Sequence, residues 1–272
     1  MQAASREALA QSRERLADRV RGTDGEARLG LADELFSVAH LLEGQVSLRR
    51  ALADASVRPD DRAGLAQRLL ASQLSAGAVD VVETVARQRW SRPLDLVEAV
   101  ETLATDAALD AADARGELDT VEDELFRFGR IIDGDDDLAR LLGDRSASRE
   151  GKTALLDRLL AGRVSPVTER LVRNSLTSSH VHNAANAVER ISVAASARRG
   201  QSVAHVTSAL PLTDAQEQRL TGILERTYGR SIGLQVQVDP SIVGGLVIRV
   251  GDEIVDGSIS HRLEAAGRRF TG

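Results

Sequence analysis

Cysteine is absent from the 272 residues, which excludes disulfides and thiolate-held metals and matches the usage of a reducing compartment. Aromatic residues make up only 2% of the chain, so any core must be built from Leu, Val, Ile and Ala. Proline is also scarce, at 5 residues, and a chain with few prolines can run long uninterrupted helices. No apolar run approaches the ~20 residues needed to span a membrane, and the first ten residues include Arg6 and Glu7 rather than the apolar stretch of a signal peptide. The formal charge of -6 provides no basic footprint for nucleic acid. A soluble intracellular protein of about two domains is expected.

What is present is helical periodicity. Ala8, Leu9, Leu16 and Val20 share one surface of a first helix over 3–21. Leu31, Leu35, Val38 and Leu42 fall at i, i+4, i+7 and i+11 in a second over 26–43. Shorter helices are expected over 47–53, 59–72 and 76–88, and a longer one over 93–112. Shifting the chain so that Leu35 meets Leu125 lays Asp33-Glu34-Leu35-Phe36 on Asp123-Glu124-Leu125-Phe126, and Arg68-Leu69-Leu70-Ala71 on Arg158-Leu159-Leu160-Ala161. Without a gap, 17 of 55 positions are identical between 31–85 and 121–175. That is an internal duplication. It predicts a first helical bundle over 1–110, a second over 93–200 with the helix near 93–112 shared between them in one stiff rod, and a small module over 201–272.

The small module reads differently. A strand is expected over 201–210, and Thr213-Asp214-Ala215-Gln216 has the residues of a capping box opening a helix, with Leu220, Ile223, Leu224 and Thr227 as its stripe. Ile232, Leu234, Val236 and Val238 then alternate with Gly233, Gln235, Gln237 and Asp239, the period of a half-buried strand. Asp239-Pro240 ends it. Leu246–Val250 and Glu253–Val255 flank Gly251-Asp252, a hairpin pattern. A last helix is expected to carry Ile259, Leu263, Ala266 and Phe270 on one face. Helices first and strands afterwards predict a mainly α chain with a small α+β C-terminal domain of order β-α-β-β-β-α.

Within that module Ile232, Leu234, Val238, Asp239, Ile242, Gly244, Gly245, Leu246, Ile248, Arg249 and Gly251, followed by Asp256, Gly257 and Ser258, form a series that resembles the signature of the delta subunit of F-type ATP synthases. The mitochondrial counterpart of that family is the oligomycin sensitivity-conferring protein. The resemblance implies a non-catalytic stator component of the proton-translocating synthase, peripheral on the cytoplasmic side of the cell membrane and held there only through the complex. It also implies alpha-subunit N-terminal helices and the b subunit as partners. The family form has one helical bundle, so the doubled bundle here is a long variant, and the alpha-subunit contact is assigned to the bundle that begins at Ala3. A helical adaptor outside the synthase is the alternative that composition and periodicity alone leave open.

The residues offer no catalyst. Gly151-Lys152-Thr153 ends like a phosphate-binding loop, but Ser146 stands where that loop needs glycine and no strand precedes it. Lys152, the chain's single lysine, is expected to be a solvated residue at a helix start. His180 and His182 would point about 200° apart on a helix, so they are expected to be polar surface and not metal ligands. Asp135-Asp136-Asp137 lacks the spacing of a calcium loop and reads as an acidic helix start. No cofactor, metal or nucleotide site is assigned.

Overall fold

A computed structural model describes residues 1–144, 146–201, 203–228, 232–239, 242, 244–250 and 253–256. Contacts divide the chain into Met1–Ala195 and Ser196–Gly272. Among the described residues there are twelve helices and one four-stranded sheet, a mainly α chain with a small α+β C-terminal part.

The first unit contains α1 (Ala3–Val20), α2 (Gly25–Gly44), α3 (Val46–Ala53), α4 (Pro59–Leu70), α5 (Ala76–Arg87), α6 (Pro93–Ala114), α7 (Leu118–Asp133), α8 (Asp136–Gly143), α9 (Arg149–Leu160), α10 (Pro166–Thr177) and the start of α11 (Ala184–Gln201). Every member of the expected stripe Leu31, Leu35, Val38 and Leu42 is buried, and so are its counterparts in the second copy, Val121, Leu125, Phe128 and Ile132. The local signals hold as well. Asp135 caps α8 by accepting from the Leu138 amide at 3.0 Å, and Pro59 and Pro166 occupy first-turn positions.

Duplication is visible in polar detail. Glu34 on α2 accepts from the Ser75 amide at 2.9 Å and its hydroxyl at 2.6 Å. Ser75 in turn caps α5 through the Ala78 amide. Glu124 on α7 accepts from the Ser165 amide at 2.9 Å, and Ser165 caps α10 through the Thr168 amide. Each carboxylate thus holds the start of the fifth helix of its copy, α5 or α10, to the second, α2 or α7.

α6 lies at the centre of this unit. Leu96, Val97, Ala99, Val100, Leu103, Ala104, Ala107, Ala108, Leu109, Ala111 and Ala112 are all buried, so it is apolar nearly all round, as a helix enclosed on every side must be. It touches α1, α2, α3 and α5 and also α7 and α10. Its alanines allow α2 to run close alongside. One continuous apolar core extends from Ala8 to Ala195. Gly116 ends α6 at φ 68°: its amide reaches Asp113 O at 3.0 Å and the Glu117 amide reaches Ala112 O at 2.8 Å, the paired bonds of a glycine helix stop.

The second unit builds a sheet from β1 (Val203–Ser208), β2 (Gly233–Val238), β3 (Leu246–Val250) and β4 (Glu253–Asp256) in the order β2-β1-β3-β4. β1 pairs parallel with β2, Val203 opposite Gly233. The β1–β3 and β3–β4 pairings are antiparallel. α12 (Asp214–Tyr228) supplies the crossover between the two parallel strands. Thr213 and Gln216 form the capping box, the Thr213 amide donating to Gln216 Oε1 at 2.9 Å and the Gln216 amide to Thr213 Oγ1 at 3.4 Å. The expected α12 stripe is narrower than its spacing suggested: Leu224 is buried and Leu220 packs against the core, whereas Ile223 and Thr227 are exposed. The hairpin turn at Gly251-Asp252 and the closing helix over 259–270 fall outside the described residues.

Candidate interaction surfaces

A groove in the first unit is bounded by α2, α6, α10 and α11, with Arg13 of α1 at its edge, and encloses about 470 Å³. Phe36, Val181, Ile191, Val193 and Ala194 give it apolar walls, and Arg13, Asp106, Glu189 and Arg190 a charged rim. Apolar walls with a few convergent polar groups suit an amphipathic guest.

At one end of the groove four polar side chains converge from three elements. Glu43 comes from the last turn of α2, Glu101 from α6, and Ser178 and His180 from the loop after α10. The imidazole spans the two carboxylates, with Nδ1 3.2 Å from Glu43 and Nε2 3.2 Å from Glu101. Ser178 Oγ lies within hydrogen-bond distance of both carboxylates and the Ser179 amide donates to Glu43 at 3.0 Å. The hydrogen bonds to Glu101 and Glu43 outweigh burial and raise the imidazole to about 10. Burial pushes the Glu43 carboxyl up, but hydrogen bonds from His180 and Ser178 overcome it and hold the group at about 2. The cluster is therefore an imidazolium between two carboxylates. His40, one turn before Glu43, is pushed down by burial and by Arg149, whose Nη2 sits 2.6 Å from its Nδ1.

This geometry corrects two expectations. His180 is not on a helix; it lies in the loop between α10 and α11, where free backbone geometry lets its ring bridge two helices. Lys152 is not solvated but only 7% exposed. Its counterpart in the first copy, Arg62, is 3% exposed and donates to the carbonyls of Arg87 and Gln88 at 3.0 and 2.9 Å, satisfying the end of α5. The duplicated position faces inward in both copies, and burial lowers the Lys152 ammonium.

The signature residues of the second unit gather mostly around one sheet end. Ile232 is buried, and Leu234 and Ile248 pack against the small core. Val238, at the end of β2, is 42% exposed. The Asp239 amide donates to Ser208 O at 2.8 Å and the Ile242 amide to Asp239 O at 3.2 Å, making the bend between β2 and β3. Gly244 and Gly245 have φ of 135° and 88°, backbone that L side chains rarely adopt. With Leu246 they line a hollow of about 490 Å³ whose other walls include Leu210, Leu212, Leu220 and Ile223. Arg249 stands opposite His205 in the β1–β3 register, and Asp256 opposite Val247. Gly251, Gly257 and Ser258 lie outside the described residues.

Gly245→Val forces a branched side chain into positive φ and is expected to destabilise the C-terminal module by about 1 to 3 kcal/mol. Thermal unfolding of the variant checks this, and an unchanged midpoint would contradict it.

Among the described residues no helix is long and apolar enough to cross a membrane. A family model described as ATP synthase delta (OSCP) subunit matches residues 103–270. The protein of Streptomyces coelicolor named ATP synthase subunit delta is 49% identical over 270 residues, which cover 99% of this chain and 98% of that one. A protein of the same name from Streptomyces griseus is 46% identical over 272 residues, all of both chains. Another from Nocardia farcinica is 44% identical over 270 residues, 99% and 100% of the two lengths. The family model begins inside α6, whereas these relatives extend through the first bundle copy as well.

Proposed function

Because this chain belongs to the ATP synthase delta (OSCP) subunit family, whose members are structural and not catalytic components, we propose that it is the stator element that keeps the catalytic head from turning with the rotor. It joins N-terminal helices of the alpha subunits to the membrane-anchored b subunit on the cytoplasmic face of the membrane. Any slip at this joint dissipates the torque that drives ATP synthesis.

The observation that carries this reading is the groove between α2, α6, α10 and α11. It has the apolar walls and charged rim that receive one face of a helix. Two bundle copies sharing α6 account for its walls, because α2 belongs to the first copy, α10 and α11 to the second, and α6 to both. The alpha-subunit contact therefore belongs to the paired copies rather than to the bundle at Ala3 alone. The b subunit meets the second unit, where Leu210, 75% exposed, and Ile223 border the hollow lined by Gly244 and Gly245. Two modest contacts acting together hold more firmly than either does alone.

Titrating isotope-labelled protein with an alpha-subunit N-terminal peptide tests the placement. Amides of Phe36, Thr105, Asn174 and Ile191 are expected to shift. Shifts confined to α1 and α5 would return the contact to the first copy, and no shifts at all would remove the proposed contact.

A further inference from the structure

The duplication places the same residues in two settings. On α2, Asp33, Phe36, His40 and Glu43 lie at i, i+3, i+7 and i+10, one face of the helix, and α10 with its following loop covers that face. Arg170 Nε reaches both oxygens of Asp33 at 3.0 and 3.1 Å, Phe36 is 5% exposed, and Glu43 holds Ser178, Ser179 and His180. Since 33 meets 170 and 43 meets 178, the two helices run parallel over roughly 12–15 Å.

On α7 the equivalent positions are Asp123, Phe126, Arg130 and Asp133. The acid, the phenylalanine and the second acid recur in order, yet all four residues are exposed, Phe126 at 62%. Among the described residues Asp123 pairs along its own helix, with Arg127. One isolated apolar residue at a surface is ordinary. Here, however, the exposed residue is the copy of one that is covered, and it is flanked by copies of the acids that hold the cover in place.

We infer that the face of α7 carrying Asp123, Phe126, Arg130 and Asp133 docks one amphipathic helix from another subunit of the complex. The guest runs parallel to α7, presents an apolar residue to Phe126 and carries an arginine near its N-terminal end for Asp123. Hydroxyl or backbone N–H donors at its C-terminal end face Asp133, and an acid or amide faces Arg130. The segment of this chain with such a pattern, α10, is already engaged on α2 through Arg170, so a second copy of the chain has none to offer. The inference rests on the stator reading only for the source of the helix, and the α7 site is distinct from the groove above.

Placing the photo-crosslinker p-benzoylphenylalanine at position 126 of the full chain, assembled in purified synthase, tests it. Irradiation is expected to join position 126 to a helical segment of another subunit with an arginine about one turn nearer its N-terminus. Adding Asp123→Lys is expected to lower the yield of that product about fivefold to tenfold, the loss of one charged contact of ~1 kcal/mol, with thermal unfolding of the chain unchanged. Cross-links to a second copy of the chain, cross-links to a segment without the arginine, or no cross-link from a chain present in the complex would each overturn the inference. If the chain is missing from the purified complex, the stator reading itself fails, and the same gel shows which has happened.

Discussion

Leu103→Ala is expected to lower the stability of residues 1–195 by about 3 kcal/mol, and to do so in both bundle copies at once. Leu103 is fully buried in α6, and removing a buried leucine's three outer carbons costs about 2 to 5 kcal/mol in lost transfer energy and cavity. The consequence depends on where the residue sits. α6 packs against α2 and also against α7 and α10, inside a core that runs without a break from Ala8 to Ala195. A cavity there loosens both copies together. Hydrogen exchange separates the possibilities, because α4 belongs to the first copy alone and α9 to the second. Equal loss of protection in α4 and α9 is the expected result; loss in only one would mean that the copies are independent domains.

His180→Gln has the second large effect, and a pH dependence with a fixed sign. The substitution leaves Glu43 and Glu101 facing each other across Ser178 without the cation between them, and breaking a buried pair costs about 3 to 5 kcal/mol. His180 is a third exposed and Glu101 a fifth, so solvent screening brings the expected loss to about 2 kcal/mol. The imidazole is raised in the folded state from its ordinary value of 6.5 to about 10. Its contribution is therefore complete below about pH 6.5, falls as pH rises and is gone above about pH 10. Glu43 is depressed to about 2, so its share is present above about pH 4.5 and fades as acid approaches pH 2. Urea unfolding of wild type and variant is expected to differ most between about pH 4.5 and 6.5 and to converge near pH 10. A difference that stayed constant to pH 10 would show that the cluster acts by packing alone.

Much of this architecture is legible in the residue order. The buried stripes of α2 and α7, the capping box at Thr213 and the alternation along β2 are local patterns whose cause lies within a few residues. The 17 shared positions even include the Glu34–Ser75 and Glu124–Ser165 pairs, whose bonding becomes apparent only when helices are set side by side. What periodicity encodes is the face a helix turns toward its own bundle. It does not encode which other faces a neighbouring copy will cover. Phe36 and Phe126 are the same residue in the same tetrapeptide, one enclosed and one exposed, because α10 and its following loop cover this face of α2, whereas α10 meets α7 on another face, at Glu124. The burial of Lys152 is hidden from the sequence for a related reason, since a charged residue at a helix start is ordinarily wet, whereas here both Lys152 and its counterpart Arg62 face inward. His180 escaped because loop geometry, not helical spacing, sets where its ring points. The groove is hidden for the same reason: its walls come from α2, α6, α10 and α11, which no local pattern joins.

Proton-driven ATP synthesis in membranes depleted of this chain tests the central claim most directly. A mechanical stator predicts that the detached head still hydrolyses ATP while synthesis driven by the proton gradient collapses, and that adding back the purified chain, which has no turnover of its own, restores it. Membranes that lack the chain yet keep fully coupled synthesis would contradict the role assigned to it.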